Sequence, residues 1–181
     1  MHGGCRSSVV RARVSAVETA TRPITLHPFT PSDAERLLEG HVDPVDGWEG
    51  GYSFTDEPEL LADYVRATQR DGDPAPYGPY LVRRLGADGE AGAAVGGVNL
   101  FGPPDERGAV EFAFGLVPAA RGTGLSPYVV DAALDVLREA GALIARAECE
   151  IANLPARRVL EQAGLGEVGR SDGVVAFEIR L

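Results

Sequence analysis

Lysine is absent from this sequence, because all 17 basic side chains are arginine. A lysine Schiff base and the phosphate-binding lysine of a P-loop are therefore excluded. The two cysteines, Cys5 and Cys149, are too few for a disulfide framework and suit a reducing cytoplasm. No apolar run approaches the roughly 18 residues of a membrane span, and no signal-peptide pattern is present. We expect a cytoplasmic protein without a membrane partner.

Metal ligation and cysteine chemistry have little support in the sequence. The histidines, His2, His27 and His41, are scattered and offer neither metal-ligand spacing nor a triad partner. Cys149 lies in an apolar, strand-like run, and such surroundings raise the pKa of a thiol and weaken it as a nucleophile. We therefore expect no metal cofactor.

Basic residues are outnumbered, and the formal net charge is −10. Residues 1–22 hold four arginines against one acidic residue, which leaves 13 arginines against 26 acidic residues in the rest of the chain. Nucleic-acid binding needs a basic face, so we expect no nucleic-acid partner. An acidic body would attract cationic amines. Solubility alone explains the same excess.

The chain divides into a leader and one domain. Residues 1–22 are rich in Ser, Ala and Arg and show no sustained period, which predicts a mobile leader. Residues 23–181 are enough for a single domain with its own core. A strand in "ITLHPF" is followed by a helix in "TPSDAERLLEG", where Thr30 is the expected N-cap and Gly40 the stop.

The pattern then alternates between helices and strands. The segment "DEPELLADYVRATQRD" predicts a second helix with one shared face: Leu60, Leu61, Tyr64, Val65 and Thr68. Three strands follow in "YLVRRL", "AAVGGVNLF" and "AVEFAFGLV", and their short connections predict antiparallel neighbours. A helix from Pro127 to about Ala140, a strand from Leu143 to Cys149, a helix from about Leu154 to Ala163 and two closing strands come next. We predict an α/β fold with a mixed, mostly antiparallel central sheet of about seven strands flanked by about four helices.

The turn "RGTGLS" joins a predicted strand to a predicted helix. The first amides of a helix lack internal partners and lie at the positive end of its dipole, so a glycine-opened helix start can bind a phosphate. By spacing alone an ordinary glycine-rich helix start is the more common explanation of this turn.

Two segments together resemble a known family. "VEFAFGLVPAARGTGLS" is followed about 30 residues later by "NLPARRVLEQAGL". They resemble the acetyl-CoA core of the GNAT superfamily of N-acetyltransferases, with its signatures Q/R-x-x-G-x-G/A and N-x-x-S/A-x-R-V-L-x-x-x-G-F. The hairpin "VGGVNLFGPPD" makes the ribosomal-protein alanine N-acetyltransferases the most similar subgroup. The resemblance covers about residues 23–181. It implies the GNAT fold, acetyl-CoA as acyl donor, and transfer to a primary amine of a small molecule or a protein N-terminus.

The sequence departs from the family pattern at five positions. Ser126 replaces a glycine or alanine, and Pro127 has no amide to offer a ligand. Ala156 removes a hydroxyl that the subgroup often has, and Leu165 replaces a phenylalanine. Leu160 stands where other branches carry the tyrosine proposed to protonate the leaving thiolate. The resemblance therefore supports cofactor binding more firmly than any acid mechanism.

Glu111 is the candidate catalytic base. Strand alternation puts Glu111, Ala113 and Gly115 on one face, so a carboxylate is followed by two small side chains that leave room for a thin ligand. A protonated amine must lose a proton before or during attack, which a carboxylate can accept directly or through water. A solvated strand charge is the alternative from sequence alone, and the resemblance favours the catalytic role.

The resemblance also implies a cofactor site. Its strand is expected to splay from the next one, which leaves unpaired backbone groups near Leu116 and Val117 for the pantetheine and the thioester carbonyl. The implied cofactor-binding residues are Leu116, Val117, Arg121, Gly122, Thr123, Gly124, Leu125, Ser126, Asn153 and Arg158. Asn153 would also serve as a helix cap, and Arg158 would otherwise be solvated.

Acceptor binding is expected in the loop between the first two helices. The implied substrate-binding residues are Trp48, Tyr52 and Phe54, with Asp46 and Glu49 as further candidates. Aromatic residues in a glycine-rich loop also serve as anchors to the core, and that alternative stays open. Relatives often form homodimers. The rival from another functional class is a non-catalytic GNAT module that binds CoA or a protein partner.

Overall fold

Seven strands form a single sheet in the computed structural model, which describes residues 22–43, 46–50 and 58–181. The predicted leader lies outside these residues, apart from Arg22. In chain order the strands are β1 (Ile24–Pro28), β2 (Gly78–Leu85), β3 (Ala91–Phe101), β4 (Ala109–Leu116), β5 (Ile144–Glu150), β6 (Gly166–Ser171) and β7 (Val174–Arg180). Their order across the sheet is β1-β2-β3-β4-β5-β7-β6, and every pair is antiparallel except β4 with β5.

Four α-helices accompany the sheet within the same residues: α1 (Pro31–Leu38), α2 (Pro58–Asp71), α3 (Ser126–Glu139) and α4 (Leu154–Gln162). The predicted α/β fold with a mixed, mostly antiparallel sheet is confirmed. The start of α1 follows from its capping chemistry, since the Thr30 hydroxyl accepts from the Asp33 amide while the Asp33 carboxylate accepts from the Thr30 amide. Gly40 ends this helix with a φ of 78°.

The helices cover opposite faces of the sheet. On one face α3 buries six side chains, and Val82, Phe112 and Val129 belong to the same apolar core. On the other face Leu81 packs in a second cluster with Leu61 and Val65 of α2. Because neighbouring side chains of a strand point to opposite faces, Val82 and Leu81 connect the sheet to both helical layers.

The predicted apolar face of α2 needs one correction. Leu61 and Val65 are buried as expected, but the Leu60 side chain is half-exposed. The Tyr64 hydroxyl donates to the Phe29 carbonyl oxygen at 3.0 Å, which ties the middle of α2 to the chain just after β1. Leu60 therefore lies beside the buried face rather than within it.

Candidate functional site

A gap opens between β4 and β5. The two strands pair only at Ala109 with Ile144, Val110 with Ala145 and Glu111 with Arg146. Beyond Glu111, β4 continues to Leu116 against β3 alone. The register therefore contains the splay that the sequence resemblance implied, in the second half of β4.

At the end of β4, the backbone polar groups of successive residues point alternately toward β3 and toward the gap. The Val117 amide donates to the Val95 carbonyl oxygen of β3 at 3.0 Å, so the Leu116 polar groups point to the gap. Arg121 Nε donates to the Leu116 carbonyl oxygen at 2.9 Å. Unpaired backbone groups were expected near Leu116 and Val117, and the Val117 amide is not one of them because β3 extends its pairing by one residue.

The turn after β4 has the backbone that its two glycines permit. Gly122 and Gly124 adopt φ of 72° and 81°, which side chains with a Cβ rarely adopt. The Thr123 hydroxyl donates to the Ala120 carbonyl oxygen at 2.6 Å, which holds the turn closed. Leu125 is buried as the N-cap residue of α3 and makes no side-chain cap hydrogen bond. Ser126 begins the helix, so the first amides of α3 follow directly upon an exposed turn.

The N-terminus of α4 carries the other two implied cofactor residues. Asn153 Oδ1 accepts from the Ala156 amide at 3.2 Å, which confirms its role as the helix cap. Arg158 is exposed one turn later. Leu160 is buried in the core at 1% exposure, so the position at which other branches carry a tyrosine faces away from solvent here.

A cavity of about 710 Å³ lies between the sheet and α2. Its walls come from the β1–α1 connection, α2, β3 and the end of β4, and it extends to Leu116, Val117, Pro118 and Arg121. The cavity thus reaches the start of the glycine turn at one end and the α2 side chains at the other. We name it the α2 cavity.

The floor of the α2 cavity consists of cross-strand pairs on β3 and β4. Gly97 lies opposite Gly115, and Asn99 lies opposite Ala113. A Cβ built on Gly115 would meet no atom within 4 Å, so this glycine faces open space. At Gly96, in contrast, a Cβ would lie 2.2 Å from the Gly115 carbonyl oxygen. Gly96 therefore permits close packing of β3 on β4, and Gly115 widens the cavity.

Glu111 is exposed at the edge of this floor. It lies opposite Phe101 and two residues from Ala113, both of which line the cavity, but Glu111 itself does not line it. Its face of β4 is the one predicted, since Phe112 and Leu116 are buried on the opposite face. Any contact of this carboxylate with a group in the cavity therefore passes through an intervening molecule or needs a different side-chain rotamer.

The loop after α1 contributes Trp48 to the cavity. Trp48 forms a bridge with Ala94 of β3, and the flanking Gly47 and Glu49 backbones bond to Ala94 at 2.9 and 2.8 Å. Tyr52 and Phe54 lie outside the described residues.

The two acidic candidates of the same loop form ion pairs with arginines. Asp46 accepts from both Nη atoms of Arg36 at 2.7 Å, and Glu49 Oε2 lies 3.4 Å from Arg84 Nε. Neither acid lines the α2 cavity. The hydrogen bond from Arg36 holds the pKa of the Asp46 carboxyl below its usual range.

Two side chains near the site stay protonated at neutral pH. Burial raises the pKa of Tyr64, a cavity-lining residue, to about 12. Burial also raises the pKa of the Cys149 thiol, which agrees with its expected weakness as a nucleophile. Across the described part of the chain, no group of three His, Cys, Asp or Glu side chains has the arrangement of a metal site.

A parted pair of strands, a glycine turn that opens a helix and a cavity between the sheet and α2 form the arrangement expected of an acyltransferase with an α/β fold. Comparison with protein families gives the particular family: residues 24–166 match the acetyltransferase (GNAT) domain. The chain therefore belongs to the GNAT acetyltransferases, with acetyl-CoA as the expected acyl donor, as the sequence predicted. A search of curated proteins gave no match.

Solved structures share the fold at low sequence identity. Spermidine N-acetyltransferase from Vibrio cholerae in complex with CoA and spermine is 18% identical, with a TM-score of 0.59 over 88% of this chain and 96% of that one. The dodecameric form of that enzyme in an intermediate state is 19% identical, with a TM-score of 0.58, and the match covers 88% of this chain and 95% of that one. A GNAT acetyltransferase from Bacillus anthracis is 17% identical, with a TM-score of 0.57, and the match covers 87% of this chain and 95% of that one.

Sequence reasoning missed most of the cavity wall. Phe29, Leu60, Tyr64, Asn99 and Phe101 line the cavity although none was a candidate. The apolar face of α2 was visible in the sequence and was assigned to the core. No pattern in the sequence distinguished a helix face that packs on a core from one that lines a cavity.

Among the described residues, no helix is long and apolar enough to cross a membrane.

Proposed function

We propose that the protein transfers the acetyl group of acetyl-CoA to a primary amine bound in the α2 cavity, within one ternary complex. The observation that carries this proposal is the end of β4–β5 pairing at Glu111, followed along the chain by the glycine turn and the start of α3. The helix start that would bind the phosphates, the open edge of β4 and the Glu111 carboxylate therefore follow one another along the gap. A relative of the same fold holds CoA and spermine.

The donor would bind along the second half of β4. The pantetheine would lie in the gap, and the Leu116 amide would donate to the thioester carbonyl oxygen as negative charge develops there. The pyrophosphate would bind the amides of Gly124 to Ser126, which lead into the first turn of α3, where the helix dipole favours an anion. Arg121 lies at that end of the cavity, and Arg158 is an exposed cation for the same phosphates. Asn153, beyond its capping role, would contact the pantetheine.

Glu111 would accept the proton of the attacking amine. Because its carboxylate lies beyond the cavity wall, we assign the transfer to a bound water between them. The amine nitrogen forms a bond to the carbonyl carbon, and the carbon–sulfur bond breaks with its electron pair on sulfur. The nitrogen of an ammonium group loses two protons on becoming an amide: one goes through the water to Glu111 and the other to solvent, and the thiolate takes a proton from solvent.

We propose that the thiolate leaves without a dedicated protein acid. Leu160 is buried, and the Tyr64 hydroxyl donates to the Phe29 carbonyl oxygen. A thiol has a pKa of about 8.5, so it leaves adequately as a thiolate without an acid. Direct transfer without a protein acid is therefore the mechanism that these residues support.

The finer expectations remain predictions. They are the ribosomal-protein alanine subgroup, cytoplasmic location, the division at residue 22 and formation of a homodimer. Trp48 is the described aromatic residue of the acceptor loop, and Tyr52 and Phe54 stay candidates for the same role. A non-catalytic module that only binds CoA is the rival function.

Calorimetry with acetyl-CoA and thiol release across a panel of amines and peptides test the proposal. Acetyl-CoA binding together with amine-dependent thiol release and an acetylated product by mass spectrometry would support it. Binding without turnover on any amine or peptide would instead favour the non-catalytic module. Failure to bind acetyl-CoA at all would overturn both.

A further inference from the structure

The acceptor end of the α2 cavity has an uncharged wall. The side chains contributed by the β1–α1 connection, the loop after α1, α2 and β3 are apolar, aromatic or amide: Phe29, Trp48, Leu60, Leu61, Tyr64 and Asn99. Among the described residues that line the cavity there is no Asp or Glu, and Arg121 at the far end is the charged side chain. This wall contrasts with the net charge of −10 over the whole chain.

The described acidic side chains close to the cavity, among them Asp33 and Asp73 whose charges act on Tyr64, lie outside its lining. Asp46 binds Arg36, and Glu49 pairs with Arg84. Glu111 lies at the edge of the floor and does not line the cavity. A substrate with a second or third ammonium group would therefore bury a positive charge against apolar side chains, and such a charge is costly without a partner.

From this wall we infer that the acceptor is a monoamine with an aromatic or branched aliphatic body. The inference rests on the proposed acetyl transfer and names the substrate class of the same site. The apolar body would contact Leu60 and Leu61 of α2 and the Trp48 ring. These contacts would remove its apolar surface from water. Asn99, on the floor opposite Ala113, is an uncharged group that can accept a hydrogen bond from the amine.

Initial rates on matched amines test the inference. Phenethylamine and isoamylamine represent the inferred class, and spermidine and putrescine represent polyamines. We expect kcat/KM for the two monoamines to exceed that for the two polyamines by at least about tenfold. Burial of the apolar part of phenethylamine or isoamylamine accounts for a factor of this size.

A single carboxylate on the wall should change this preference. Leu60 is 50% exposed, so Leu60→Glu should fold, and it should raise kcat/KM for spermidine relative to phenethylamine by about tenfold. Val168→Glu is the matched control, because Val168 is an exposed residue of β6 at 56% and does not line the cavity. It should leave the ratio unchanged.

Asp56 and Glu57 precede α2 and lie outside the described residues, so they need their own test. The double variant Asp56→Asn/Glu57→Gln should keep the wild-type ratio of monoamine to polyamine. A large fall in spermidine turnover in this variant, or a wild-type preference for spermidine, would overturn the inference while acetyl transfer stands. Failure of the wild-type protein to bind acetyl-CoA or to acetylate any amine would overturn the proposed function and this inference with it.

Discussion

Glu111 of β4 and Arg146 of β5 are register partners, and theirs is the last pair before the two strands part. Both side chains project from the same sheet face, because Phe112 and Ala147 are buried on the other. Arg146 Nη2 donates to Glu148 Oε1 at 2.7 Å, while its Nε is buried without a hydrogen-bond partner among the described residues. The candidate base therefore lies at the apex of the gap, with a guanidinium on the neighbouring strand.

The Glu111→Gln substitution should abolish most turnover. An amide has nearly the shape of the carboxylate but cannot accept a proton, so kcat/KM for amine acetylation should fall about 100-fold to 10,000-fold. Calorimetry should find unchanged affinity for CoA, since Glu111 lies away from the phosphate end. Glu106→Gln, an exposed change in the loop before β4, is the control and should retain activity. Full activity in Glu111→Gln would exclude this residue as the base.

Gly124→Ala should weaken CoA binding. Gly124 has a φ of 81°, so alanine there costs about 1 kcal/mol in the free energy of unfolding. The altered turn would also displace the first amides of α3, and we expect the Kd for CoA to rise about tenfold.

Gly141→Ala is the matched control for this change. Gly141 has a φ of 79° beyond the C-terminus of α3, and a Cβ at either glycine meets no atom within 4 Å. The stability cost should be similar and CoA affinity unaffected. Equal CoA affinity in the two variants would mean that the turn only starts a helix.

Substitution by alanine should affect stability very differently at Gly96 and Gly115, which lie on neighbouring strands. Gly96→Ala would force its Cβ against the Gly115 carbonyl oxygen, and we expect a loss of about 3 kcal/mol in the free energy of unfolding by urea. Gly115→Ala should change stability by no more than about 0.5 kcal/mol, because nothing lies within 4 Å of its Cβ. Its methyl group would instead enter the cavity and raise KM. Similar stability losses in both variants would contradict this description of the floor.

Asp46 should make stability depend on acid pH. Its pKa is lowered in the folded chain, chiefly by the hydrogen bond from Arg36, so its contribution is complete above the unfolded pKa of about 3.9. The contribution is lost as the pH falls through the folded pKa, because the unfolded chain binds the proton first. Asp46→Asn should therefore cost about 2 kcal/mol at pH 7 and less at pH 3.5, as measured by urea unfolding. Asp63→Asn, which removes an exposed partner of Arg66, should have little effect at either pH.

Local signals in the sequence determined the elements and the family. Thr30 predicted the start of α1, and alternation in "VEFAFGL" predicted the face of β4 that carries Glu111, because capping and strand periodicity depend on neighbouring residues only. The spacing of "RGTGLS" and "NLPARRVL" predicted the family, which the match over residues 24–166 confirmed. These features needed no knowledge of contacts distant in the chain.

Tertiary structure decided the contents of the cavity. Phe29, Leu60 and Asn99 come from elements far apart in the chain, and only the packing of α2 across β3 brings them to one wall. The ion pair of Asp46 with Arg36 and the bond of the Val117 amide to Val95 likewise depend on strand pairing and helix packing. The sequence by itself thus determined the fold, the donor and the candidate base. Only the tertiary structure decided the charge of the α2 cavity wall, because the burial and pairing of each side chain depend on its partners in space.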